Sequence, residues 1–365
     1  MSRVVYLHVG APKTGTTYLQ DRLGANSETL AEHGIYFPRG PLGRDPGHTH
    51  FRAALDLLGE DWGGPSGHAE GYWDALIRKV RRSRGTVIIS HEILAAAPAE
   101  KIARAMADLE GSEVHVVFSA RDIARQLPAF WQESIKQGRR WTFQKFLDTA
   151  QRNDNLWFWR SQSLPNVLSR WGAGLEPDHV HLVTVPQPGG PRDVLWKRFC
   201  TVFGIDPAWA PKESERINPS MGIAETALIR RLNRRLGQKG LTEHHHQTLV
   251  REMLVHQNLA TREGRKATLP PHLYPWASEI AESWIEWAEG SKIDVVGDVN
   301  DLRPVAPPEG ATWNDPDKPN QGKVIAAALD ALVAMTEEAA NRPDPNAQLT
   351  SRMSRAAKRF RGFSE

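Results

Sequence analysis

Cysteine is nearly absent. Cys200 is the only one in 365 residues, so no intramolecular disulfide can form and a reducing compartment is expected. No run of 18 or more apolar residues occurs, which excludes a membrane-spanning helix by the usual length criterion. The start, Met1-Ser2-Arg3-Val4-Val5-Tyr6-Leu7, lacks the long apolar stretch of a secretory leader, and the expected location is cytoplasmic. Excess charge is scarce as well: 46 Lys and Arg stand against 43 Asp and Glu, a formal net charge of +3. Arg352, Arg355, Lys358, Arg359 and Arg361 crowd the last fifteen residues against Glu365 alone. The basic balance therefore describes a tail, and the body offers no nucleic-acid-binding surface. No internal repeat at solenoid periods is visible.

Short β-branched runs alternate with helical patterns through the first two thirds of the chain. Val4–Val9, Thr86–Ser90, Glu113–Ser119 and His179–Val185 read as strands, and Pro98–Leu109, Asp122–Gln137 and Asp193–Gly204 as helices. Strands joined by helical crossovers predict an α/β fold: a mostly parallel central sheet covered on both faces. Beyond Ile223 the strand signal fades. Ile223–Leu236, Thr242–His256 and Tyr274–Trp287 predict a helical C-terminal half. Residues 304–322 carry five prolines and read as a linker. The expected division is a catalytic body at 1–305 and, at 306–365, a Pro-rich linker, a short helix (Val324–Ala340) and the basic tail.

The strongest signal is Gly10-Ala11-Pro12-Lys13-Thr14-Gly15-Thr16-Thr17, between the first strand and a helix starting near Thr16. Such a loop can aim backbone N–H groups and three threonine hydroxyls at an anion, and the helix N-terminus adds partial positive charge. Gly10 and Gly15 have the spacing of the nucleotide-hydrolase loop G-x-x-x-x-G-K-[ST], and Thr17 fits its last position. Thr16, however, occupies the lysine position, and the lysine appears three residues earlier as Lys13.

Ala11-Pro12-Lys13-Thr14-Gly15-Thr16-Thr17 resembles the 5′-phosphosulfate-binding loop of the PAPS-dependent sulfotransferase superfamily (PAPS, 3′-phosphoadenosine 5′-phosphosulfate). The strings 125–133, 183–186, 216–222 and 294–298 look like its bacterial, actinobacterial-type branch. The resemblance implies a P-loop-type α/β fold and a sulfuryl transfer to a hydroxyl or amine of a small-molecule acceptor (metabolite, glycan or lipid). PAPS is then the donor co-substrate, PAP the product, and no metal is expected. Pro12, Lys13, Thr14, Gly15, Thr16 and Thr17 would hold the 5′-phosphosulfate, with Lys13 also stabilising the leaving group. The family's 3′-phosphate site pairs an arginine with a serine eight residues on. Here the arginine is Arg121, after Val116-Val117-Phe118-Ser119-Ala120, but the serine position is Ala129. Gln132 or a backbone N–H is the expected substitute. The structural alternative for Arg121 is an ion pair with Asp122.

An attacking hydroxyl or amine needs a base. The second strand ends in Ser90-His91-Glu92, at the same sheet edge as the loop if the strands are parallel. Chemistry alone permits His91 or Glu92. The resemblance favours Glu92, and its structural alternative is an ion pair with Lys13 or a cap on the following turn. His244-His245-His246 is read as a solvated helix start and not a metal site, because consecutive helical side chains diverge. Seven tryptophans between Trp131 and Trp209 are expected mostly in the core. The tail is expected to contact a membrane surface or a protein, or else to be a solubilising end. Two other readings stay open: a P-loop kinase or nucleotide hydrolase, disfavoured by Thr16, and a non-catalytic PAP- or PAPS-binding protein.

Overall fold

The computed structural model describes residues 3–40, 46–191, 193–215, 220–237 and 242–342. The basic tail and the 216–219 part of one family-like string lie outside the described residues.

The chain alternates strand and helix from its start. β1 (Val4–Gly10) leads through the Gly/Pro loop into α1 (Thr16–Ala25) and α2 (Ser27–Glu32). After β2 (Ile35–Tyr36) come α3 (Pro46–Leu58), α4 (Tyr72–Arg82) and β3 (Thr86–Ser90). A 3-10 turn at Glu92–Ala96 and α5 (Ala99–Asp108) lead to β4 (Glu113–Ala120). Four helices then follow before the next strand: α6 (Ile123–Lys136), α7 (Phe143–Arg152), α8 (Trp157–Gln162) and α9 (Leu164–Trp171). β5 (Val180–Thr184) and α10 (Val194–Phe203) complete the alternating part. The C-terminal half holds α11 (Ile223–Leu236), α12 (Glu243–His245, continued as a π-helix over His246–His256), α13 (Tyr274–Ser291), the short β6 (Asp294–Val296) and α14 (Gln321–Asn341).

Among the described residues six strands form one sheet in the order β2-β3-β1-β4-β5-β6, and every pairing is parallel. This is the α/β arrangement expected, with helices on both faces and a helical C-terminal half. Both faces are apolar because both are covered. Leu7, Val9, Val87, Ile89, Val116, Phe118 and Leu182 enter a large core beneath α3 to α9 and α13. Ile88, Val117 and Val183 face the other way, against Leu19 and Leu23 of α1 and Trp196, Phe199 and Phe203 of α10. Of the seven tryptophans, Trp131, Trp171 and Trp196 are fully buried, and Trp141, Trp157, Trp159 and Trp209 are partly so.

Two strands carry no readable signal in the sequence. β2 has two residues and β6 three, too short for alternation to show. Within the Pro-rich segment, Asp317 accepts hydrogen bonds from the N–H groups of Phe143 (3.0 Å) and Gln144 (2.9 Å), capping α7. Val324 of α14 is buried against Ala224 and Ala227 of α11, and Ala327 and Ala331 join the large core. No helix among the described residues is long and apolar enough to cross a membrane.

Candidate active site

The β1–α1 loop stands at the carboxyl edge of the central strands, between β3 and β4, where ligands bind in open parallel sheets. Gly10 and Gly15 hold positive φ, 135° and 98°. A Cβ on Gly10 would lie 3.2 Å from Ala95 Cβ and 3.3 Å from the Glu92 carbonyl; one on Gly15 would strike Leu195 at 2.7 Å. Both positions therefore demand glycine. Lys13 also sits in the left-handed region, at φ 68°, a strained conformation for a side-chain-bearing residue and one that clusters at functional sites.

Buried polar groups hold the loop from below. Ala11 N–H donates to the Ser119 carbonyl at 2.8 Å, and Ser119 Oγ donates to the Gly10 carbonyl at 2.9 Å. Thr14 Oγ1 meets the Ala11 carbonyl and Ser119 Oγ, both at 2.5 Å. His8 bridges the neighbouring strands, with Nδ1 2.7 Å from Ser90 Oγ and Nε2 3.3 Å from Ser119 Oγ. Burial, with nearby His91, drives the His8 pKa down to about 3, against a small opposing contribution from the Gly10 backbone. His8 is thus a neutral structural strut. The Pro12 carbonyl accepts from two amides, Gln126 of α6 and Gln162 at the end of α8 (3.1 Å from the latter).

The upper side of the loop is differently provided. Among the described residues α1 begins with no side-chain cap on its N-terminal N–H groups, and Thr16 Oγ1 is buried with no hydrogen-bond partner. An uncapped helix start beside an unpaired buried hydroxyl is suited to an anion's oxygens. Lys13 Nζ donates to Glu133 of α6, a carboxylate that sequence reasoning missed. Glu133 also meets Lys136 at 3.6 Å and Arg251 at 3.2 Å. Burial alone would raise the Glu133 pKa, but Lys13, Lys136 and Arg251 outweigh it and hold the carboxyl well below the usual range. Three cations thus surround one anion, which leaves positive charge to spare beside the loop. The expected alternative for Lys13, an ion pair with Glu92, does not form.

Arg121 follows β4 at the same edge. Its neighbour Asp122 caps α6 through Arg125 N–H (2.9 Å) and pairs with the Arg125 side chain. Arg121 is therefore left without a carboxylate partner among the described residues. Its Nη2 donates to the Arg125 carbonyl at 2.8 Å, and its Nε is buried and has no partner among the described residues. Burial, then repulsion from Arg125, pushes its pKa down to about 10, with Asp122 opposing. An interior guanidinium with a free N–H is fit to receive a phosphate. Gln132, the expected stand-in for the missing serine at Ala129, is already engaged: its amide donates to the Met221 carbonyl (2.9 Å) and Thr226 Oγ1 (3.0 Å).

His91 and Glu92 part company beyond β3. His91 is buried against Phe51, and its Nδ1 accepts from Ile93 N–H at 3.3 Å, capping the 3-10 turn. Burial lowers its pKa, with Glu92 opposing. Glu92 is half-buried and its side chain makes no hydrogen bond or ion pair among the described residues, while its backbone packs on Gly10. The three consecutive histidines diverge: His245 Nδ1 meets Thr242 Oγ1 (2.9 Å) and His246 Nε2 meets Asn233 Oδ1 (3.0 Å).

No protein-family model matches the chain, and no curated protein is detectably similar to it in sequence. Among solved structures it is similar to a sulfotransferase from Alicyclobacillus acidocaldarius, at 17% identity over 60% of this chain and 88% of that one, with a TM-score of 0.34.

Proposed function

We propose that the protein transfers a sulfuryl group from PAPS to a hydroxyl or amine of a small acceptor. The observation that carries this reading is the loop itself. Its lysine stands inside the arch at Lys13, where spare positive charge gathers, and a threonine with a buried, unpaired hydroxyl takes the place of the hydrolase lysine. Sulfuryl transfer involves less negative charge than phosphoryl transfer, so one well-placed ammonium can serve where nucleotide hydrolases also need a divalent metal.

The residues divide the work as follows. The N-terminal N–H groups of α1, with the Thr16 and Thr17 hydroxyls, hold the 5′-phosphosulfate, and Thr14, whose hydroxyl is spent beneath the loop, can offer only its backbone N–H. Arg121 receives the 3′-phosphate. Lys13 leaves Glu133 to meet the bridging oxygen, which gains charge as its bond to sulfur breaks, a contact stronger in the transition state than before it. Glu92, unpaired and against Gly10, takes the proton from the acceptor oxygen or nitrogen as that atom bonds to sulfur. Glu133 is a poor candidate for that base because its cations hold it ionised and weakly basic. His91 is committed to its cap.

The test is turnover. Isotopically labelled PAPS, incubated with the protein and a small-molecule extract, should yield products heavier by one sulfuryl group. Lys13→Ala should lower that yield about 10²–10³-fold, the scale for losing one transition-state donor. A near-normal rate in Lys13→Ala would overturn the assignment.

A further inference from the structure

A second polar cluster occupies the amino-terminal edge of the sheet, on the face that α1 and α10 cover. It comprises Glu113 and His115 of β4, His179 just ahead of β5, His181 of β5 and Asp294 of β6. Four residue steps along β4 lead from His115 to Ser119 beneath the loop, about 13 Å at the rise of a strand. The proposed transfer reaction uses none of these side chains.

Their contacts run in a line. His181 Nδ1 lies 2.6 Å from Asp294 Oδ2, His181 Nε2 2.9 Å from His115 Nδ1, and His115 Nε2 3.0 Å from Glu113 Oε1. Three such contacts need three hydrogens, and two neutral imidazoles supply two. If Asp294 accepts from His181 Nδ1–H, then His181 Nε2 accepts from His115 Nδ1–H. His115 Nε2 is then left with a lone pair aimed at the Glu113 carboxylate. Two acceptors at 3.0 Å repel unless a third proton or a metal ion lies between them.

A third donor converges on the same point. The His179 ring lies 4.2 Å from that of His115, and one ligating atom from each of Glu113, His115 and His179 falls within 4.8 Å of the others. Glu113 and His179, though not His115, also line an open surface depression of about 350 Å³. We propose that Glu113, His115 and His179 bind a divalent transition-metal ion, with His181 and Asp294 as its outer support. Two imidazoles and a carboxylate suit zinc. Tetrahedral ligand atoms at zinc distances of about 2.1 Å stand about 3.4 Å apart, a little more than the 3.0 Å between His115 Nε2 and Glu113 Oε1. Glu113 is exposed and His179 half-exposed, so side-chain rotation suffices to close the set. Tyr6, stacked on His115 at 4.7 Å, fixes that ring, and the His181–Asp294 pair sets its tautomer, as outer partners of metal-bound histidines do. The ion would tie the start of β4 to the start of β5.

The test uses the full chain without an affinity tag, stripped with a chelator and then titrated with zinc chloride by calorimetry, with bound zinc counted by mass spectrometry. One equivalent is expected. His179→Ala and Glu113→Gln, both at accessible positions, should abolish stoichiometric binding while keeping the parent circular dichroism. Asp294→Asn should weaken it about 10–100-fold. His245→Ala, in the separate histidine run, should leave it unchanged. Substoichiometric zinc on the parent, unaltered binding in His179→Ala, or zinc lost with His245→Ala would each overturn the proposal.

Discussion

Replacing Glu133 with glutamine should make the protein less stable and yet no weaker in binding PAP. The Glu133 side chain is 15% exposed and that of Lys136 4%. Even with Glu133 opposing, burial pushes the Lys136 pKa from the ordinary 10.5 down to about 8. At about 1.4 kcal/mol per unit, that net shift, to which repulsion from Lys13 and Arg251 also contributes, corresponds to roughly 3 kcal/mol against the charged form. Removing the anion leaves Lys136 unpaired in the interior, and losing one partner of a buried pair costs about 3–5 kcal/mol. Lys13 and Arg251, 25% and 31% exposed, can turn to water and contribute less, so the lower end is expected at pH 7. The pH dependence has a definite sign. The depressed Glu133 carboxyl stabilises the fold fully above the unfolded glutamate value of about 4.3, and this contribution is lost as pH falls towards its native value. The melting difference between parent and variant should therefore narrow below about pH 4. It should also narrow above pH 8, as Lys136 sheds its proton in the native state. Binding should move the other way, because Lys13 no longer leaves a carboxylate to meet the ligand. A gain of up to about fivefold is expected, the worth of one partly exposed pair at about 1 kcal/mol. Thermal melts from pH 3 to 10 and calorimetric titration with PAP measure both. An unchanged melting temperature at pH 7, or PAP binding weaker than the parent's, would refute this account of the cluster.

Arg121→Ala should weaken PAP at least tenfold but leave adenosine 5′-phosphosulfate, which lacks the 3′-phosphate, nearly unchanged; equal weakening in titrations would make Arg121 structural. Thr16→Val removes a hydroxyl that no group among the described residues uses, so melting should hold while PAP affinity falls about fivefold to tenfold, the worth of one hydrogen bond. A lower melting temperature would show the hydroxyl to be structurally satisfied. Glu92→Gln should cut turnover by about 10²-fold or more with PAP affinity intact. Full activity in that variant, with loss in His91→Ala, would transfer the base to His91.

The loop and the four longer strands were legible because each announces itself within a few residues. Gly10 and Gly15 mark the bends, β-branched runs mark β1, β3, β4 and β5, and the helix start at Thr16 follows directly. The fold class follows from their alternation. β2 and β6 were not legible, since two or three residues cannot display a period, and their pairing is decided by neighbours distant in sequence. Glu133 was missed for a related reason: 120 residues separate it from Lys13. A local hint existed. α6 buries Gln126, Gln132, Ser134 and Lys136 as well as its apolar residues, and a helix whose inner face is that polar is facing something other than core. The local ion pair considered for Lys13 with Glu92 yields to Glu133, a partner reached only in the folded chain, whereas the one for Arg121 with Asp122 yields to an equally local partner, Arg125 in the first turn of α6.

The central claim is that the loop receives a nucleotide phosphosulfate and not a nucleotide triphosphate. Calorimetric titration of the parent and of Lys13→Ala with PAP, and with ATP plus magnesium, tests it most directly. The account predicts that PAP binds the parent in one-to-one stoichiometry, that the Lys13→Ala variant binds it more weakly, and that ATP with magnesium binds poorly to both. Tighter binding of ATP with magnesium than of PAP would contradict it.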